Sequence, residues 1–128
     1  MTSLSPVDGK KYFTLAEANK MLPLVKAIVS DISSLAHSLK EKYEQKVDLE
    51  GYVREDLEAA IEKDQDRLQD LVDELSQLGV ELKDFFTGLV DFPSWSNGRE
   101  VYLCWKMDEA AVGHWHEVWA GFAGRVKL

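Results

Sequence analysis

From Leu15 to Tyr43 the apolar side chains recur at alternating spacings of three and four residues for four heptads, and this run constrains the fold more than any other feature. Leu15, Ala18, Leu22, Val25, Val29, Ile32, Ala36, Leu39 and Tyr43 fall on one side of a single long helix, with Lys20, Lys26, Lys40 and Glu41 turned toward water. A helix with so continuous an apolar seam needs a partner. The next segment supplies one: Leu57, Ile61, Leu68, Leu71, Leu75 and Leu78 keep the same spacing, and Gly79 follows as a left-handed cap. Gln45 to Tyr52, with Asp48 and Gly51, reads as the turn between them, so the two helices fold back as an antiparallel, coiled-coil-like hairpin.

The first helix starts at Thr14-x-x-Glu17, a capping box in which each side chain satisfies the other residue's free backbone N–H. Pro23 lies inside the helical pattern, and because the seam stays in phase on both sides it predicts a kink near Asn19 to Leu22. Asp64 interrupts the second seam, where it is expected to pair with His37 or Lys40 and fix the register, or else to mark a level open to water. Residues 1 to 11 have no periodicity and read as a mobile tail.

After Gly79 the composition changes. The last 44 residues hold all four Trp, four of the five Phe and five of the eight Gly. Strand-length pieces near Val80 to Asp84, Leu89 to Phe92, Glu100 to Trp105 and Trp115 to Val118 are separated by the turn pairs Thr87-Gly88 and Asn97-Gly98. Val101, Leu103 and Trp105 alternate with Tyr102 and Cys104, as on a half-buried strand. Glu109 to Trp119 also fits a short helix, since Ala111, Trp115 and Trp119 keep helical spacing. The expectation is one α+β domain over 1–128, with a helical hairpin at 14–78 and a small antiparallel β-sheet unit, rich in aromatics, at 79–128.

Charge narrows the partners. The net charge of −8 sits mostly on residues 53 to 84, which carry four Lys/Arg against eleven Asp/Glu. Phosphate backbones and anionic lipid both require clustered cations, so neither nucleic acid nor a membrane surface is expected. The acidic face reads as a solvated surface, with a docking face for a basic partner as the alternative. No apolar run reaches the roughly 18 residues of a membrane span, and no signal peptide is visible. With the single Cys104 unable to form an internal disulfide, the reading is a cytoplasmic protein.

Several blocks together resemble one family. They are Phe13-Thr14-Leu15 with Glu17-Ala18-Asn19 and Leu22-Pro23, then Gly79 to Asp84, Gly88 to Pro93, Gly98 to Trp105, Trp115-His116-Glu117 and Gly121 to Arg125. In this order they resemble the bacterial domain of unknown function family 2203 over nearly the whole chain. The resemblance implies a small cytoplasmic bacterial protein and brings no activity with it. It carries over His116 and Glu117, whereas His114 is particular to this sequence.

The residues that could carry chemistry are few. On a strand, His114 and His116 point to one face and could share a divalent metal such as zinc, with Asp91 as a further ligand and Asp84 or Glu100 as other candidates. On a helix they would diverge by about 200 degrees and the shared site would fail. Gly121-x-x-Gly124 before Arg125 could hold an anion, although paired glycines more often make a turn. Cys104, inside an apolar strand with no base nearby, reads as an inert buried thiol. No Ser/His/Asp order, Walker loop or paired-cysteine motif is present, so an enzyme is the less favoured reading. The first expectation is an interaction module that self-associates through the helical seam, or binds a protein partner, with the aromatic C-terminal unit as contact surface. The alternative is a metal or small-ligand site at the junction of hairpin and sheet, built from His116, Glu117, Asp91 and Arg125, with hydrolysis on such a metal as a third reading.

Overall fold

A computed structural model describes residues 6–128. Helix α1 spans Leu15–Lys46 and α2 spans Gly51–Gln77, packed side by side as an antiparallel hairpin. The capping box at the start of α1 is complete: Thr14 Oγ1 accepts from Glu17 N, and Glu17 Oε1 accepts from Thr14 N. α1 runs unbroken through Pro23 for 32 residues, about 48 Å at the usual rise. At the far end of α2, Gly79 takes φ +86°, and the N–H of Gly79 and of Val80 close back onto Ser76 and Leu75.

Asp64 pairs with Lys42, not with His37 or Lys40. Helical side chains lean toward the N-terminus of their own helix. In an antiparallel hairpin Lys42 therefore leans away from the tip and Asp64 toward it, so the two meet at an offset that simple alignment of the helices misses. His37 instead sets its ring edge-on to Phe86, 5.2 Å away, while Ser33 Oγ donates to the Phe86 carbonyl. These contacts dock the turn after the first strand onto α1.

The strands are β1 (Glu81–Asp84), β2 (Leu89–Ser96), β3 (Arg99–Lys106), β4 (His114–Glu117) and β5 (Val126–Lys127), a five-stranded antiparallel meander in chain order. Residues 114–117 are strand, which settles the choice between strand and helix for that segment. β2 continues past Pro93. The Pro93 carbonyl accepts from Phe13 N, so its ring nitrogen faces that side too, and the ladder to β3 loses no hydrogen bond.

One face of the sheet lies on the hairpin. Val90, Phe92, Leu103 and Trp105 meet Val25, Val29, Ile32, Leu71 and Leu75 in a single core, closed at one end by Phe13 against Phe92. The Asn19 amide joins α1 to the loop before β4: its Oδ1 accepts from Val112 N and its Nδ2 donates to Val112 O. The N-terminal segment is tied down as well, with Lys10 Nζ on Glu100 and Tyr12 edge-on to Trp95. Residues 1–5 of the expected tail lie outside the described residues. Among the described residues no helix is long and apolar enough to cross a membrane.

Candidate functional site

Strand alternation that sends Val90, Phe92, Leu103 and Trp105 into the core sends Asp91, Tyr102 and Cys104 to the opposite face. The register sorts them into rows. Asp91, Cys104 and His114 stand opposite one another in the first, and Pro93, Tyr102 and His116 in the next. This outer face would be expected to meet water, yet Asp91, Cys104 and His116 are 3%, 0% and 2% exposed.

His116 reaches diagonally to Asp91. Its Nε2 lies 2.9 Å from Asp91 Oδ1, and its Nδ1 lies 2.8 Å from the Glu117 carbonyl. A carbonyl oxygen only accepts, so Nδ1 carries a proton, and a second proton is shared between Nε2 and the carboxylate. The Tyr102 ring packs on the imidazole at 5.4 Å, and its hydroxyl donates to Glu81. Burial, then the charge of Glu81, pushes the Tyr102 phenol well above its ordinary value.

Cys104 Sγ closes the group: sulfur, imidazole nitrogen and carboxylate oxygen all lie within 4.8 Å of one another. Burial, and after it the nearby Asp91 carboxylate, pushes the thiol up to about 11. Arg125 Nη1 donates to the sulfur at 3.7 Å. The guanidinium is otherwise engaged by Glu109 in a two-pronged pair at 2.9 and 2.6 Å, and it stacks on Phe122. Burial works against the Glu109 carboxylate, but Arg125 and the Lys106 N–H outweigh it and hold the group below its ordinary value.

The structure thus brings Asp91 and His116 into direct contact and places Arg125 beside Cys104, on the sheet face away from the hairpin and not at their junction, because strand alternation gives the hairpin side to Val90, Phe92 and Leu103. Glu117, one residue on from His116, is turned to the other face and pairs with Arg99, which lies over Trp115. His114 shares the face of His116, but it stands outside the three-residue group; its Nδ1 is buried 3.3 Å from Glu109 Oε2 and makes no hydrogen bond. Cys104, expected only as an inert thiol, is the third member of the cluster. The signal was in the alternation of β3, which sets Cys104 on the face of Tyr102, but the partner strand that brings Asp91 alongside is set by tertiary register. Glu109 likewise joins the site only through tertiary structure, by its pair with Arg125.

A family model for uncharacterised conserved proteins, DUF2203, matches residues 11–128. The chain belongs to the DUF2203 family. The match spans both helices and every strand, so in this DUF2203 member the outer-face cluster lies wholly inside the shared region. No curated protein and no solved structure is matched by this chain.

Proposed function

We propose that this protein is a self-associating interaction module in which two copies meet at the end of the hairpin's apolar side that the sheet leaves open, beside Tyr43 and Phe85. The observation that carries the reading is a hollow of about 230 Å³ between the hairpin and the β1–β2 turn, lined by Ala36, Leu39, Tyr43, Leu68, Phe85 and Phe86. Its walls are almost wholly apolar, and Tyr43, Phe85 and Phe86 are each more than two-fifths exposed. Aromatic side chains left in water beside an apolar hollow are what interface centres are made of. Knob and hollow on one patch suit a two-fold contact, since each copy can lay Phe85 into the other's hollow. Lys40 at the rim offers a cation to an acidic surface, and the second copy carries one on α2.

The mass of the purified protein in solution tests this. A dimer by light scattering is expected, and Phe85→Asp, at an exposed position, should give a monomer with an unchanged circular dichroism spectrum. A wild-type protein that is monomeric at every concentration, or a dimer that Phe85→Asp and Tyr43→Asp leave intact, would overturn the reading.

A further inference from the structure

We propose that Asp91, Cys104 and His116 bind a divalent cation of borderline softness, of the zinc or cobalt kind, independently of any self-association. The donor set is the first reason. One imidazole, one thiol and one carboxylate are the ligands such ions take, whereas magnesium and calcium call for oxygen alone. The three side chains come from three adjacent strands, β2, β3 and β4, so rigid elements rather than loops hold them.

The imidazole is already oriented as a ligand. Metal-binding histidines usually give their second ring nitrogen to a carbonyl or carboxylate, which fixes the tautomer and frees the other nitrogen for the ion. Here the Glu117 carbonyl holds Nδ1 at 2.8 Å and leaves Nε2 aimed into the cluster. Tetrahedral zinc with ordinary bond lengths sets its ligand atoms roughly 3.3–3.6 Å apart. The pair at 2.9 Å must open by about half an ångström and the sulfur must stay close to both, a rearrangement small side-chain rotations supply.

Charge also closes. On entry the cation displaces the thiol proton and the proton shared by Nε2 and Oδ1, leaving thiolate, carboxylate and neutral imidazole. Two negative charges then meet two positive ones. Arg125 lies near the sulfur, but its charge is matched by the two-pronged pair with Glu109, so it does not repel the ion as a free guanidinium would. Among the described residues these three are the ones whose ligand atoms converge, which leaves the fourth position to water or a small anion.

Titration of the whole protein, purified with a chelator and then freed of it, tests the site with cobalt and zinc. One cobalt per chain is expected, with the near-ultraviolet thiolate-to-cobalt charge-transfer band and the intense visible absorption of a tetrahedral site, both lost on adding zinc. Cys104→Ser should abolish the charge-transfer band. Asp91→Asn and His116→Gln should each weaken binding by more than the roughly 10–100-fold that loss of an outer partner costs. His114→Gln, outside the cluster, should bind cobalt as the wild type does. The wild-type spectrum decides even where a variant fails to fold: folded protein that gives no saturable charge-transfer band, or a band that Cys104→Ser leaves in place, overturns the assignment.

Discussion

Removing the carboxylate of Asp91 measures what the buried pair with His116 is worth without any cation. In Asp91→Ala the Nε2 of His116 faces a void, and at 2% exposure the ring has no water to turn to. Breaking a buried charged pair by taking away one partner costs about 3–5 kcal/mol. The lower end is expected here, because the ring keeps its Nδ1–H bond to the Glu117 carbonyl. At about 4 °C for each kcal/mol in a chain of this size, that is a loss of roughly 12 °C in Tm. Asp91→Asn keeps the shape and lets the amide donate to the Nε2 lone pair, so its cost should be about 1 kcal/mol. Urea denaturation near neutral pH in excess chelator, followed by tryptophan fluorescence, reads both values. A cycle with His116→Ala should return a coupling of about 2 kcal/mol. If Asp91→Ala fell within about 1 kcal/mol of wild type, or Asn did no better than Ala, the pair would not carry the stability argued for it.

Two glycines separate backbone strain from crowding. Gly88 has φ +68°, and a Cβ there would stand 2.8 Å from both Val29 Cγ1 and Met107 Cβ, so Gly88→Ala should cost about 2–4 kcal/mol; Gly98, at φ +76° with open space around it, should cost only about 1 on mutation to Ala in the same denaturation assay. The acid limb of stability should respond to Glu17, whose carboxyl is held at about 2 against an ordinary 4.5 by the Thr14 N–H and then by Lys11. Because its folded value is depressed, its contribution is complete above 4.5 and fades as pH falls through 2. Glu17→Gln should therefore lower the urea midpoint above 4.5 and leave it unchanged near 2, and a gap that did not close on acidification would show that the capping carboxylate acts otherwise.

The parts of the fold that sequence reading reached are those whose signal is local. Two amphipathic helices, a capping box and an Asn-Gly hairpin are each written within a few residues of one another, and α1, α2 and the β2–β3 turn follow from them. β5, two residues paired with β4, has no periodicity of its own and forms only because Trp115 and His114 already stand at an open edge. The end of β2 was hidden by Pro93, whose tolerance depends on Phe13, some eighty residues away. The site divides along the same line. His116 and Asp91 stood out as chemically able residues, whereas Cys104 joins them only through the β2–β3 register, and the offset of Asp64 onto Lys42 required the lean of side chains along both helices.

The chemistry of the outer face is costly for a purely structural sheet. Replacing a buried ion pair by apolar side chains of similar volume is often neutral or stabilising by about 1–4 kcal/mol. Folding alone would thus be served as well by aliphatic residues at 91, 104 and 116, the choice made on the opposite face at Val90, Phe92 and Leu103. Instead the chain packs Tyr102, Arg125, Glu109 and Phe122 around a hydrogen-bonded cluster kept away from water. Such an arrangement holds carboxylate, thiol and imidazole on three neighbouring strands away from water, where an interaction among them is stronger than in solvent.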